Sequence, residues 1–390
     1  MGLIFNIEES IKNSGFNVLQ EPIKMILDNQ TEAYEKESII SKVFVVKTTD
    51  RYMEEYRSLT SMDGFKPTED MEVAPISDFE ESYFKQFTTQ IWTNSFVISK
   101  QTMEDGKLMD VDMSANAFIK GYNRTREQYA VSMIGAGLGN VYEDLKITKS
   151  AGLGMDTTDG EIEGTRQQYF HNEHKTVKLK GEKAPRVTQS NKFTATLNFS
   201  DGVTPDLEEK VLDVLGQIEA KMAVYKDDKG NIVPVDVDTI VIGKNYRLLD
   251  ILTRGLKSRY GAAMDGNGIN TQYGKYKVVV SPYLSGIKGF RDQDGGMLLV
   301  SSDRNREGLG LVWFDRKPLE VRSYKDDKTE ANVWAGRARW GAGYGDYRAM
   351  SYVSFPQAGA DAVATSHADP ITPITTGVKA VNVVAQKAAN

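Results

Sequence analysis

Between Ser82 and Ser99 the chain carries Tyr83, Phe84, Phe87, Thr88, Thr89, Ile91, Trp92, Phe96, Val97 and Ile98. So dense a run of aromatic and β-branched residues reads as β structure. Successive side chains of a strand point to opposite sides, and here both sides are apolar, so both need cover. Val43-Phe-Val-Val opens a companion run. Tyr52, Tyr56 and Leu59 follow among charges, and Asp63-Gly64, Pro67 and Pro75 mark turns between the two. The pattern predicts a long two-armed β element over 43–99. An isolated two-stranded hairpin is marginal in water, so this one must lie on its own core or on a neighbouring copy.

Ahead of it, residues 1–40 are polar with scattered apolar positions. Pro22 with Ile23, Ile26 and Leu27 suggests a short helix in an arm. Behind it, residues 107–136 read as a long helix, with Phe118, Tyr122, Tyr129 and Met133 at helical spacing. Ser114 is a cap candidate for its most regular part, and Gly135, Gly137 and Gly139 end it. Residues 140–200 are Gly-rich and polar, apart from a strand-like Phe193-Thr-Ala-Thr-Leu-Asn-Phe. A second helix is signalled sharply, by Thr204 as N-cap, Pro205 at the first position and acidic Asp206, Glu208 and Glu209. Its apolar stripe is Leu207, Val211, Val214, Leu215, Ile218 and Met222. Strand Thr239-Ile-Val-Ile, helix Asn245 to Leu256 and strand Lys277-Val-Val-Val-Ser follow.

From 297 onward the signals are strands and turns: Met297-Leu-Leu-Val, Leu311-Val-Trp-Phe, Leu319-Glu-Val-Arg and Tyr347 to Phe355. In Trp334 to Trp340, Arg337 and Arg339 alternate with Trp334, Gly336, Ala338 and Trp340, the period of a half-buried strand. Residues 357–390 read as a tail or a loosely held strand.

A chain of 390 residues accommodates two or three folded units. Its net charge of -6 argues against wrapping nucleic acid by phosphate neutralisation. With no cysteine, disulfides, thiolate nucleophiles and Cys-based zinc sites are excluded. The first residues lack the basic and apolar regions of a signal peptide, and no apolar run is long enough to span a bilayer. A soluble protein with no membrane partner is expected.

No catalytic constellation emerges. Gly135-Ala-Gly-Leu-Gly follows a helix where a dinucleotide fingerprint follows a strand, so it reads as a helix terminator. His171-Asn-Glu-His174 puts two imidazoles three residues apart, but a metal site needs a further ligand, and the remaining histidine, His367, lies in the tail. Asp227, Asp228, Asp292 and Asp294 read as solvated turn residues. Lys175, Lys178, Lys180, Lys183 and Arg186 form a basic stretch, a solvated face or a contact for DNA or an acidic neighbour. No enzyme, cofactor or metal is expected.

The order of elements then resembles the tailed-bacteriophage major capsid protein family, with its Hong Kong 97-type fold. The resemblance rests on Ser114-Ala-Asn-Ala-Phe-Ile-Lys-Gly-Tyr-Asn-Arg-Thr-Arg-Glu as the spine-helix region. It rests also on Asp238-Thr-Ile-Val-Ile-Gly-Lys-Asn-Tyr with Val278-Val-Val-Ser-Pro-Tyr-Leu as the axial passage. Leu311-Val-Trp-Phe-Asp-Arg-Lys-Pro-Leu-Glu and Arg339-Trp-Gly-Ala-Gly-Tyr-Gly-Asp-Tyr-Arg are similar to the closing strands of Mu-like head subunits. It covers roughly residues 40–355 and implies an α+β chain. Its parts would be an N-terminal arm (1–42), an extended β loop (43–100), a peripheral domain with the spine helix (101–200), an axial domain (201–310), closing strands (311–356) and a tail (357–390).

The resemblance implies a structural protein whose copies form pentamers and hexamers of an icosahedral head enclosing double-stranded DNA, found in the virion and, during assembly, in the host cytoplasm. Scaffolding protein (a separate chain), portal and a decoration protein would be partners, with DNA touched non-specifically. The residues expected at the assembly interfaces are Phe65, Phe84, Phe87, Trp92, Phe96, Arg124 and Arg126. An encapsulin-like compartment shares the fold with cargo in place of a genome; a metal-dependent hydrolase using His171 and His174 is a different class.

Overall fold

The computed structural model describes residues 4–7, 34, 37–59, five positions between 65 and 73, 81–104, 108–139, 168–175, 187–198, 204–227, 229–258, 270–308 and 310–373. In chain order, strand β1 (Ile4–Ile7) precedes helix α1 (Ile39–Val43), whose N-cap Ser38 accepts from the Ile40 amide. Strands β2 (Val45–Thr48), β3 (Met53–Leu59), β4 (Glu81–Thr88) and β5 (Gln90–Ile98) follow, then helices α2 (Lys100–Glu104) and α3 (Leu108–Ala136). Short strands β6 (His174–Lys175), β7 (Thr188–Gln189) and β8 (Lys192–Thr194) lead to helix α4 (Pro205–Met222), strand β9 (Thr239–Ile242), helix α5 (Tyr246–Lys257) and strand β10 (Lys277–Val280). The chain closes with β11 (Met297–Val300), α6 (Ser302–Gly308), β12 (Leu311–Lys325), β13 (Asn332–Tyr344), β14 (Met350–Ser354), α7 (Ala362–Thr365) and β15 (Asp369–Pro370).

Helices α4 and α5 form where their local signals place them. Thr204 Oγ1 caps the Leu207 amide at 3.2 Å, and Asn245 Oδ1 caps Leu248 at 2.9 Å; each satisfies an otherwise orphaned N–H. The whole expected stripe of α4 is buried. The spine helix α3 runs unbroken through Ser114, so that residue caps nothing. From Tyr129 to Leu138 every residue is buried, so the end of the helix is embedded on all sides, and the glycines after it act as terminators: Gly139 takes φ +84°. Gly137 N donates to Met133 O at 3.2 Å.

Two sheets organise the rest. One has the order β1-β12-β13-β5, with β2 also paired to β12. β1 and β2 run parallel to β12 along different stretches of it, at Glu320 to Ser323 and at Val312 to Asp315. The two runs read from sequence at Leu311 and Leu319 are one strand; Pro318, which has no N–H to give the ladder, falls in the interval where the register shifts between Lys317 and Glu320. The other sheet has the order β10-β9-β11-β14-β8-β15. Strands β9 and β11 in its interior are buried on both faces, which explains their continuous apolar runs. Val241, Leu298, Val300 and Tyr352 join the core around α3, whereas Ile240, Ile242, Met297, Leu299 and Val353 join the core under α4 and α5.

The two-armed β element divides at Thr89. β4 pairs with β3 in a separate two-stranded arm, whereas β5 returns to the body and pairs with β13 from Gln90↔Trp340 to Ile98↔Asn332. Cover for the β5 aromatics therefore comes from the same chain. Trp92 stacks on Trp340 at 4.9 Å and Phe96 on Trp334 at 5.0 Å between ring centroids.

Lys192 is fully buried in β8, and its Nζ donates to Val363 O at 2.8 Å. Burial pushes its ammonium down to about 8 from the ordinary 10.5. Between those values the unfolded chain holds a proton that the folded chain has released, so stability rises with pH across that window. Urea unfolding from pH 7.5 to 10.5 is expected to show this rise, and Lys192→Met is expected to flatten it.

Candidate assembly site

The arm is fastened to the body at its root. Lys85 in β4 is buried, and its Nζ donates to the carbonyls of Tyr344 at 3.1 Å and Gly345 at 3.4 Å. A buried ammonium without such acceptors costs several kcal/mol, so the root has one seated position. Phe87 is buried against Phe314 at 5.5 Å between centroids. The root crosses β13 so closely that a Cβ on Gly343 would fall in the Phe87 ring and one on Gly341 would meet the Thr88 carbonyl; only glycine admits that crossing. Thr89 N donates to Tyr52 O at 3.0 Å, closing the base.

Beside the root lies a buried charge knot. Asp346 accepts from Arg304 Nη2 at 2.7 Å and from Arg348 Nη1 at 3.3 Å, while Tyr169 Oη donates to its carbonyl at 2.8 Å. Burial would raise the Asp346 carboxyl, yet Arg348 and Arg304 outweigh it and hold the group below the usual carboxylate range. Burial, and then the charge of Asp346, raises the Tyr56 phenol of β3.

A second knot joins spine to sheet. Arg126 Nη2 meets Asp315 Oδ2 at 3.2 Å, and Nη1 donates to Tyr122 Oη at 2.9 Å. The guanidinium lies 5.2 Å from the Trp313 ring and 5.5 Å from that of Trp340, within cation–π range. Trp313 Nε1 donates to Asp315 Oδ1 at 2.9 Å.

The residues expected at interfaces therefore fall into separate places. Phe87 and Arg126 are internal; Trp92 and Phe96 are partly buried against the chain's own core. Phe65 and Arg124 are exposed. Phe84 stands opposite Arg57 in the arm register, and its side chain lies outside the described residues. The turn expected at Asp63-Gly64, residues 140–167 and all of the basic stretch beyond Lys175 also lie outside them. Lys85, Asp346, Arg304 and Arg348 were missed; a lysine set inside an apolar run, and the polar Gly-Asp-Tyr-Arg between two strands, were the available signals.

The three histidines meet, but as packing. His171 stacks on His367 at 4.6 Å and His174 on Tyr347 at 4.1 Å, with His174 Nε2 at 2.9 Å from Asn191 Oδ1. Asn191 Nδ2 donates to the carbonyls of Tyr169 and Tyr347, so its oxygen accepts from His174. Among the described residues no group of three or more His, Asp or Glu is arranged to hold a metal. Two aspartates read as solvated are in fact buried. Asp294 accepts from the amides of Gly289, Arg291 and Asp361, and Asp227 from those of Lys229 and Asn231. Each tightens a loop by satisfying backbone donors.

A groove of about 570 Å³ runs between one face of α3 (Lys120, Asn123, Arg124, Glu127), the Tyr34 to Ile39 segment and the end of β10. Glu127 in its wall accepts from the Ile39 amide at 3.1 Å.

No family model matches the chain, and no curated protein sequence matches it. Solved structures that it matches over most of its length include those of two phage capsids and a virus-like particle. The capsid of cyanophage P-SCSP1u is 10% identical, with 82% of this chain and 88% of that one covered and a TM-score of 0.47. The capsid of Myoviridae phage XM1 is 10% identical, with 82% and 92% covered and a TM-score of 0.47. The virus-like particle from Pyrococcus furiosus is 9% identical, with 85% and 98% covered and a TM-score of 0.42. At such identities no residue role passes from those proteins to this one.

Proposed function

We propose that the chain is a major capsid subunit of the Hong Kong 97-type, in the Mu-like branch, whose copies close as pentamers and hexamers into an icosahedral phage head around double-stranded DNA. The arm carries this reading. β3 and β4 pair with each other in their own two-stranded sheet, a unit too small to be stable alone, yet a buried lysine and a buried phenylalanine clamp its root. A firmly aimed projection of this kind suits contact with an adjacent copy. The core around α3 and the five-stranded sheet corresponds to the peripheral domain, and the core under α4 and α5 to the axial domain.

Closed symmetry repeats each modest contact many times, so individually weak interfaces sum to a stable shell. The net charge of -6 keeps the wall from binding packed DNA tightly. A separate scaffolding protein, a portal and a decoration protein complete the set of partners. Electron microscopy of the concentrated protein, alone and with the scaffolding protein, is expected to show closed shells. A compact monomer at every concentration in both conditions would overturn the reading.

A further inference from the structure

We infer that the free edge of β10 receives residues 374–390 of an adjacent copy as an added strand. The inference rests on the shell reading above and names a contact within it. Lys277 N and Ser281 N donate inward to Asp238 O at 2.8 Å and Ile242 O at 3.0 Å. In a parallel ladder the intervening residues, Val278 and Val280, then turn their N–H and C=O groups outward. No described strand pairs with that side, because β10 ends its sheet. An unpaired edge is a template for another chain, and here it opens onto the groove beside α3. Val280 and Tyr283 are exposed there, and the buried Oδ1 of Asn123 has no hydrogen-bond donor among the described residues.

The occupant follows from where the chain leaves the body. β15 lies on the opposite edge of the same sheet, and Gln217 Nε2 holds Thr372 O there at 3.1 Å. The two edges are about 24 Å apart across five strand spacings. Both faces of the sheet between them are covered by core, so a return path within one subunit would have to run around the helices. Passage from the β15 edge of one copy to the β10 edge of an adjacent copy would avoid that detour. It is also head-to-tail, the kind of contact that closes a ring. The segment suits the edge: Val378, Val381, Val383 and Val384 are β-branched, and from 374 to 386 the only charge is Lys379. The groove wall, with Lys120 and Arg124 set against Glu37 and Glu127, is balanced and suits a nearly uncharged strand.

The chain has no cysteine, so engineered pairs report cleanly. Val280→Cys combined in turn with Val378→Cys, Val381→Cys or Val384→Cys should, after oxidation of the assembled protein, give a ladder of covalently joined copies on a non-reducing gel. Each single variant should stay monomeric. Free thiols, or a bridge formed only within one copy, would overturn the inference. Deletion of 374–390 should raise the concentration needed for assembly by roughly tenfold or more, and unchanged assembly would count equally against it. Shells that form normally without a ladder would sink this contact and leave the shell reading standing; wild-type protein that never assembles would remove the reading itself.

Discussion

Asp315→Ala is expected to destabilise the subunit by about 3–5 kcal/mol, the effect of breaking a buried ion pair from one side. The carboxylate serves two donors, Arg126 and the Trp313 indole. In the intact chain burial works against the Arg126 charge, while Tyr122 and Asp315 sustain it; without the carboxylate, the guanidinium is left wedged among Tyr122, Trp313 and Trp340 with burial opposing its charge and one partner fewer. Chemical denaturation of the unassembled subunit reads the loss directly. The double replacement Arg126→Met with Asp315→Leu should recover most of it, since an apolar pair of similar volume often substitutes at little cost. A loss under about 1 kcal/mol for Asp315→Ala would put the pair in the class of surface salt bridges and remove it as the joint between spine and sheet.

The second large effect concerns the arm. Replacing residues 59–81 with an Asn-Gly hairpin turn keeps Tyr56, Lys85 and Phe87, and with them the root. The variant should fold, with a melting temperature near that of the parent, and yield no closed shells by sedimentation or electron microscopy. Shells at the parent's yield would show that the arm is dispensable. The same experiment separates arm from edge: Trp92, stacked on Trp340 and 5.4 Å from Tyr129, belongs to the subunit's own packing, so its replacement would confuse folding with assembly.

Much of the fold was legible wherever the signals are local. Thr204-Pro205 with its acidic first turn and Asn245 placed α4 and α5 to within a residue, because caps and apolar stripes act over a few positions. The alternation from Trp334 to Trp340 marked β13 for the same reason. The division of the β element at Thr89 was not legible. The partner that draws β5 back to the body, β13, lies far downstream, and pairing between distant segments leaves no local mark. Nor was β1 foreseen, since four ordinary residues become a strand only because β12 offers them an edge. The candidate site was half legible. Aromatic residues were singled out for the interfaces, but composition cannot say which side of a strand meets its own core, and Phe87, Trp92 and Phe96 turned inward. Lys85 and Asp346 escaped because charged residues are read as exposed by default, and their burial depends on acceptors and cations supplied by other elements.

The clamp at Lys85 has a geometric consequence. Its acceptors are main-chain carbonyls, so the grip follows the path of the backbone at 344 and 345, and together with Phe87 seated on Phe314 it sets the bearing of the projection. In any closed surface tiled by such pieces, a bracket of fixed angle dictates how steeply each tile leans on the next, and hence the radius of the vessel. A tilt of a few degrees there, magnified along the length of the lever, would separate a small container from a large one.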